Sequence, residues 1–332
     1  MPKLPSLGPT AATRTTDKVM ILAYYRSGSS FLGELFNNNP SMFYLYEPLW
    51  NYQFAVKYRR NLTYCNGTSR MPPVHGNEFA EYTKILDDIL NCRIRSVPLE
   101  VSTASRKNEH GFLTSVGRHK TLESSPYYKC LRQNKGLNDR NCIHIMEGVC
   151  KGSKVKVIKT IRFEMWQMED LLLKNPGLKV IHLLRDPRGQ ITSVKRTLSN
   201  PDPDDLISKS CMLMLRNLNA HRKLDLKFPG RITQVFYEDL AISPFTTAKM
   251  IYDFIGMELP SVIEKALYER TMAGKKDNGV SGTTRKNSTL TAHAWVNKID
   301  PAFAHLIDDI CTDLHDRIGV MKFDKLREKF KF

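Results

Sequence analysis

The chain has 332 residues, 41% of them hydrophobic, which supplies a substantial core for one large α/β domain or two ordinary ones. No window approaches twenty continuous apolar residues, which excludes a membrane-spanning helix within the sequence. The formal net charge of +16 points to an anionic partner, but no zinc-finger spacing, RNP-like aromatic motif or basic-zipper pattern is present, so the charge does not read as nucleic-acid binding.

In chain order, Met1 to Thr16 is Pro/Ser/Thr-rich and lacks the apolar stretch of a signal peptide, so residues 1–17 read as a flexible lead-in. A core domain is expected over 18–325. Lys18 to Tyr25 is a short apolar run of strand formers, Arg26 to Ser30 a small-residue turn, and Phe31, Leu32, Leu35 and Phe36 recur at helical spacing until Asn37-Asn-Asn-Pro40. Met42 to Tyr46 is a second strand, ending at Glu47-Pro48. The stretch 51–152 is polar and holds five cysteines, and it reads as an insertion with one amphipathic helix near Glu78–Leu90. The core pattern returns with a strand at Val155–Thr160, a helix at Glu164–Lys174 and a strand at Lys179–Leu184. The turn Arg185–Gly189 leads into a helix running to about Leu198. Asn200 to Asp205 reads as an acidic loop, Cys211–Leu226 as a helix, Ile232–Tyr237 as a strand and Phe245–Ile255 as a helix. Gly274–Ser288 reads as a basic loop, with helix after it. Strands alternating with helices predict an α/β fold: a central parallel sheet with helices on both faces.

There are seven cysteines, of which Cys65, Cys92, Cys130, Cys142 and Cys150 fall in the insertion, and no CxxC pair, which argues against zinc. Sequons begin at Asn61, Asn66 and Asn287. Together these favour an oxidising secretory lumen with disulfides in the 65–150 region. The odd count leaves at least one thiol outside intrachain disulfides, and spacing does not choose the pairing.

A loop between a strand and a helix N-terminus is an anion site, because free N–H groups and the helix dipole both favour negative charge. Gly28 allows close backbone approach, Ser27, Ser29 and Ser30 add hydroxyls, and Arg26 adds a guanidinium fork. The loop is not GxxxxGK[ST], so ATP or GTP as phosphoryl donor is disfavoured. Arg26-Ser-Gly-Ser-Ser-Phe31, Gly33-Glu-Leu-Phe36 and Glu47-Pro-Leu-Trp50 resemble the Golgi carbohydrate sulfotransferases, in particular the galactose/N-acetylglucosamine/N-acetylgalactosamine 6-O-sulfotransferase type, including keratan and chondroitin 6-sulfotransferases. Cytosolic relatives carry Lys at the place of Arg26. The resemblance covers 18–50 and 154–300 and is poor across 51–152.

The resemblance implies a P-loop-like sulfotransferase fold. It also implies that Arg26 to Phe31 bind the 5′-phosphosulfate of 3′-phosphoadenosine-5′-phosphosulfate (PAPS). Val180 to Ser193 resembles the family's 3′-phosphate element, with Arg185 at a strand tip and Ser193 one helical turn into the next element. Arg285, in the basic loop before Trp295, is expected to close over the nucleotide. Tyr237-Glu-Asp-Leu240 also looks like a family signature and reads as an anchor of a strand end, and His182 reads as a core residue. Related heparan sulfotransferases use a Glu after their phosphosulfate loop, which makes Glu47 the expected general base. Arg26 is expected to stabilise charge on the leaving group. No essential metal is expected. The expected acceptor is an acidic or sulfated glycan, shaped by the 51–152 insertion, and the expected compartment is the Golgi lumen. The family's membrane anchor is not in this sequence. The rival readings are a P-loop kinase, for which the loop lacks the lysine, and a non-catalytic basic glycan-binding protein on the same scaffold.

Overall fold

The computed structural model describes residues 16–73, 78–102, 129–130, 133, 139–272 and 287–330. Five strands form one sheet in the order β2-β5-β1-β6-β7: β1 (Lys18–Leu22), β2 (Met42–Tyr46), β5 (Val155–Thr160), β6 (Leu178–Leu184) and β7 (Ile232–Phe236). Every pairing in it is parallel. A separate two-stranded antiparallel hairpin is made by β3 (Leu62–Thr63) and β4 (Ser69–Arg70).

Successive residues of β1 point to opposite faces, and both faces are buried. Met20 and Leu22 join a cluster with α3 (Glu78–Leu90), α5 (Ile143–Gly152) and α6 (Met168–Lys174), through Leu86, Ile89, Met146 and Leu171. Val19 and Ile21 face α1 (Ser29–Asn37) and α10 (Pro244–Phe254), through Leu32, Phe36, Ile251 and Tyr252. The expected double covering is therefore realised, and helices from the 51–152 segment supply part of one layer.

A third cluster lies beyond the end of β6. It joins α7 (Pro187–Lys195), α8 (Pro203–Lys227), α13 (Pro301–Ile310), α14 (Thr312–Ile318) and α15 (Phe323–Lys329). Among the described residues, the other α-helices are α2 (Leu49–Lys57), α4 (Leu99–Ser102), α9 (Tyr237–Ile242), α11 (Ser261–Thr271) and α12 (Ser288–His293).

The acidic loop expected at 200–205 is instead largely the start of α8. Asp202 caps the helix by accepting from the Asp205 N–H, Pro203 stands in its first turn, and Asp204 and Asp205 complement the dipole. Three disulfides are present: Cys92–Cys150, Cys130–Cys142 and Cys211–Cys311. Two lie in the expected region. The third staples α8 to the junction of α13 and α14.

Candidate active site

The site gathers at the C-terminal edge of the sheet. Strand β1 is flanked there by β5 and β6, the position where open parallel sheets hold ligands. Tyr24 opens the first loop. Its carbonyl accepts from both the N–H and the Oγ of Ser27, so Ser27 is buried and spent on shaping the turn. Gly28 follows at φ +86°, and a Cβ there would stand 2.2 Å from the Tyr237 ring. Only glycine passes at this point. The chain then enters α1 with its first N–H groups turned toward the loop.

Arg26 has φ +65°, a left-handed conformation that is uncommon outside glycine and that clusters at functional sites. Its Nε donates to Ser193 Oγ at 3.1 Å, and its carbonyl accepts from Arg185 Nη1 at 2.9 Å. Two loops separated by more than 150 residues of sequence are thus in direct contact. Arg185 lies over the Tyr237 ring at 4.6 Å, while its buried Nε has no hydrogen-bond partner. A buried guanidinium N–H left without an acceptor fits an anion such as a nucleotide phosphate.

Behind Arg185 stands a fixed frame. Asp186 caps α7 and forms a bidentate pair with Arg188, whose third arm reaches Asp308 at 3.0 Å. Arg188 is fully buried and serves this frame. Glu238, at the start of α9, accepts from the Asp186 N–H at 3.1 Å. Burial, with the nearby Asp186 charge adding to it and Arg185 opposing it, pushes the Glu238 carboxyl up to about 7. Tyr237 and Glu238 therefore line the site, a larger role than anchoring a strand end.

Glu47 also has positive φ, +49°. Its carboxylate is buried between Lys159 and Arg162, which bind its two oxygens, and Oε2 also accepts from the Ile161 N–H at 3.4 Å. Lys159 leaves the end of β5 and lies over the Tyr46 ring at 4.3 Å, and Ser30 Oγ is 3.3 Å from the Tyr46 hydroxyl. This chain of contacts joins the anion loop to Glu47. Ser29 and Phe31 lie on the inward face of α1. Arg285 falls outside the described residues.

His182 is fully buried in β6, as expected. Its Nε2 meets the Tyr24 hydroxyl at 2.8 Å and its Nδ1 meets His221 Nδ1 at 3.2 Å. Burial, then the neighbouring His221, push it down to about 3. It is a neutral link between the anion loop and α8.

The sequence does not single out Lys159 and Arg162, and it marks Glu238 only as part of a strand-end anchor. The usable signal for the first two was position. Lys159-Thr-Ile-Arg162 ends a parallel strand, and strand ends at this edge are where ligands bind. No group of three or more His, Cys, Asp or Glu side chains that could hold a metal occurs among the described residues.

A family model described as the sulfotransferase domain matches residues 16–325. Carbohydrate sulfotransferase 3 of Rattus norvegicus is 26% identical over 330 residues, covering 91% of this chain and 67% of that protein. Carbohydrate sulfotransferase 1 of Danio rerio is 25% identical over 342 residues, covering 91% of this chain and 77% of the relative. Among solved structures, the sulfotransferase domain from the curacin biosynthetic pathway superposes with a TM-score of 0.46 at 17% identity, covering 91% of this chain and 98% of the other. Mouse sulfotransferase SULT7A1 complexed with PAP gives a TM-score of 0.43 at 11% identity, covering 96% and 90%.

Proposed function

Because the chain belongs to the sulfotransferase-domain family, we propose that it transfers the sulfuryl group of PAPS to a carbohydrate hydroxyl. The observation that carries the reading is the contact between Arg26 and Ser193, with Arg185 bound to the Arg26 carbonyl and holding a buried N–H without an acceptor. Arg26, Ser29, Ser30 and the α1 N-terminus hold the 5′ end, with Ser27 and Gly28 shaping the turn and Phe31 packing the helix behind it. Arg185 and Ser193 hold the 3′-phosphate, and Arg285 closes over the nucleotide. PAPS supplies an activated sulfuryl group on a phosphate leaving group. Arg26 balances the charge that gathers on that phosphate, the kind of electrostatic stabilisation that dominates many enzymes.

Glu47 takes the proton of the acceptor hydroxyl. Lys159 and Arg162 fix where the carboxylate points, and each carboxylate oxygen carries two lone pairs, so Oε1, which accepts from Lys159, keeps one for the proton of the incoming hydroxyl. The acceptor is the 6-hydroxyl of galactose, N-acetylglucosamine or N-acetylgalactosamine in an acidic glycan. The likeness to carbohydrate sulfotransferases 1 and 3 supports a carbohydrate acceptor. The three disulfides support an oxidising compartment, the Golgi lumen in this reading.

The test is PAPS-dependent sulfation of a panel of desulfated glycans, with mass spectrometry to locate the added group. Activity is expected to survive EDTA. Glu47→Gln is expected to keep 3′,5′-ADP affinity and lose turnover by about 10²- to 10⁴-fold. It also breaks a buried ion pair, at a cost of about 3–5 kcal/mol in stability, so turnover is measured below the variant's own unfolding midpoint with nucleotide affinity as the fold check. Near-normal turnover would overturn the base assignment, and a wild-type chain with no affinity for 3′,5′-ADP would overturn the function.

A further inference from the structure

Large aromatic side chains seldom stand exposed in a row on one helix without a ligand to cover them. Helix α2, which begins two residues after Glu47, buries Leu49, Tyr52 and Ala55 against the core. On its other side, at helical spacing, Trp50 is 40% exposed and Phe54 40%, and Tyr58 at the C-cap is 51% exposed. Phe54 and Tyr58 touch, with ring centroids 4.4 Å apart. Each ring has its own cation. Arg162 lies 4.1 Å over Trp50, Arg60 lies 5.0 Å over Phe54, and Lys57 lies 5.2 Å over Tyr58.

We propose that this face of α2, carrying Trp50, Phe54 and Tyr58 with Arg162, Arg60 and Lys57, is the platform for the acceptor, and that its ligand is a sulfated or carboxylated glycan. The proposal rests on the sulfotransferase reading of the Glu47 site and adds the surface that holds the acceptor. The C–H face of a pyranose packs on an aromatic ring. A cation held against that ring keeps N–H donors for a sulfate or carboxylate on the same or the next sugar. Charge argues for the acidic occupant: from Pro48 to Asn77 the sequence has no acidic residue and carries Lys57, Arg59, Arg60 and Arg70. Continuity with the chemistry argues for the location, because Arg162 touches both the Trp50 ring and the Glu47 carboxylate, and the backbone N–H of Trp50 donates to the Glu47 backbone carbonyl at 3.1 Å. A glycan on the platform has one sugar beside Glu47 and the rest along the helix.

The experiment titrates the full chain, saturated with 3′,5′-ADP, with a chondroitin sulfate hexasaccharide, its chemically desulfated counterpart, maltohexaose and phosphatidylserine vesicles. The sulfated hexasaccharide is expected to bind best, and to bind at least about tenfold more weakly to Phe54→Ala/Arg60→Ala, as loss of one charge-assisted contact predicts. The affinity of this variant for 3′,5′-ADP and its unfolding midpoint are expected to stay at wild-type values, which separates platform loss from misfolding. Unchanged hexasaccharide affinity in the variant, equal binding of maltohexaose, or preferential binding of the vesicles each overturns the platform. A chain that binds the hexasaccharide through this face but has no affinity for 3′,5′-ADP would sink the sulfotransferase reading while leaving the glycan surface in place.

Discussion

Glu238 is a buried carboxyl that would tie the proposed nucleotide clamp at Arg185 to pH. In the unfolded chain it titrates near 4.5, and in the folded protein at about 7. Between those values the native state holds a proton that the unfolded state has released. Its contribution to stability is therefore largest below about pH 4.5, falls as pH rises toward 7, and is constant above that. The difference corresponds to about 3 kcal/mol. The same proton matters for binding. Neutral Glu238 removes a negative charge from beside Asp186 and Arg185, so an anion at Arg185 is favoured at lower pH. Affinity for 3′,5′-ADP is expected to tighten between about pH 8 and about pH 6.5 in wild type. Glu238→Gln, fixed in the neutral state, is expected to show only the ligand's own titration. Calorimetric titration of both proteins checks this, and parallel pH profiles would dismiss Glu238 as the sensor.

At the scale of elements, the anion loop works because one residue has no side chain. Gly28 combines a left-handed backbone with contact against Tyr237. Gly28→Ala adds about 1–2 kcal/mol for the backbone alone and drives a methyl into the ring on which Arg185 rests. Nucleotide affinity is expected to fall at least tenfold, along with a lower unfolding midpoint. Gly148, within α5, has nothing within 4 Å of its missing Cβ, so Gly148→Ala is expected to be neutral or to stabilise by up to about 1 kcal/mol. A Gly28→Ala protein that behaves like Gly148→Ala would remove the steric argument.

The contrast shows what sequence could and could not reveal. Short runs of apolar and β-branched residues located β1, β2, β5, β6 and β7 closely, because a parallel strand covered on both faces stays mostly apolar even where Lys156, Lys159, Lys179 or His182 interrupts it. The α3 boundaries followed from a clean amphipathic period. Helix α2 was hidden inside a segment read as insertion, since its outward side carries aromatics and blurs the period. The start of α8 was read as loop because Pro and Asp also mark turns. In the site, Arg26, Arg185, Ser193 and Glu238 belong to local motifs, whereas Lys159 gains its place against Glu47 only through strand order, which no local pattern encodes.

For the whole molecule, the third disulfide ties α8 to the helices that brace the proposed nucleotide clamp and constrains the unfolded chain. Cys211 in α8 and Cys311 after α13 close a loop with a sequence separation of 100. Constraint of the unfolded chain by a loop of that size contributes about 4–5 kcal/mol in the chain-entropy model, and measured values are commonly about 2–4 kcal/mol. Helix α13 also carries Asp308, which braces Arg188 and through it Asp186 beside the clamp. Two roles are therefore possible for the bond: limiting the unfolded chain, or holding the native frame in register. They part under ligand. Cys211→Ala/Cys311→Ala is expected to lose about 2–4 kcal/mol in urea unfolding under oxidising conditions. If the bond acts on the unfolded state, 3′,5′-ADP at a hundred times its dissociation constant adds the same increment to variant and wild type, about 2.7 kcal/mol. Equal increments are expected, because the buried Asp308–Arg188–Asp186 pairs and the packing of Ile207, Met214, Phe303 and Ile307 hold α13 in place without the sulfur bridge. A smaller increment in the variant would mean that the native clamp itself loosens, and that the disulfide is part of the binding site's support.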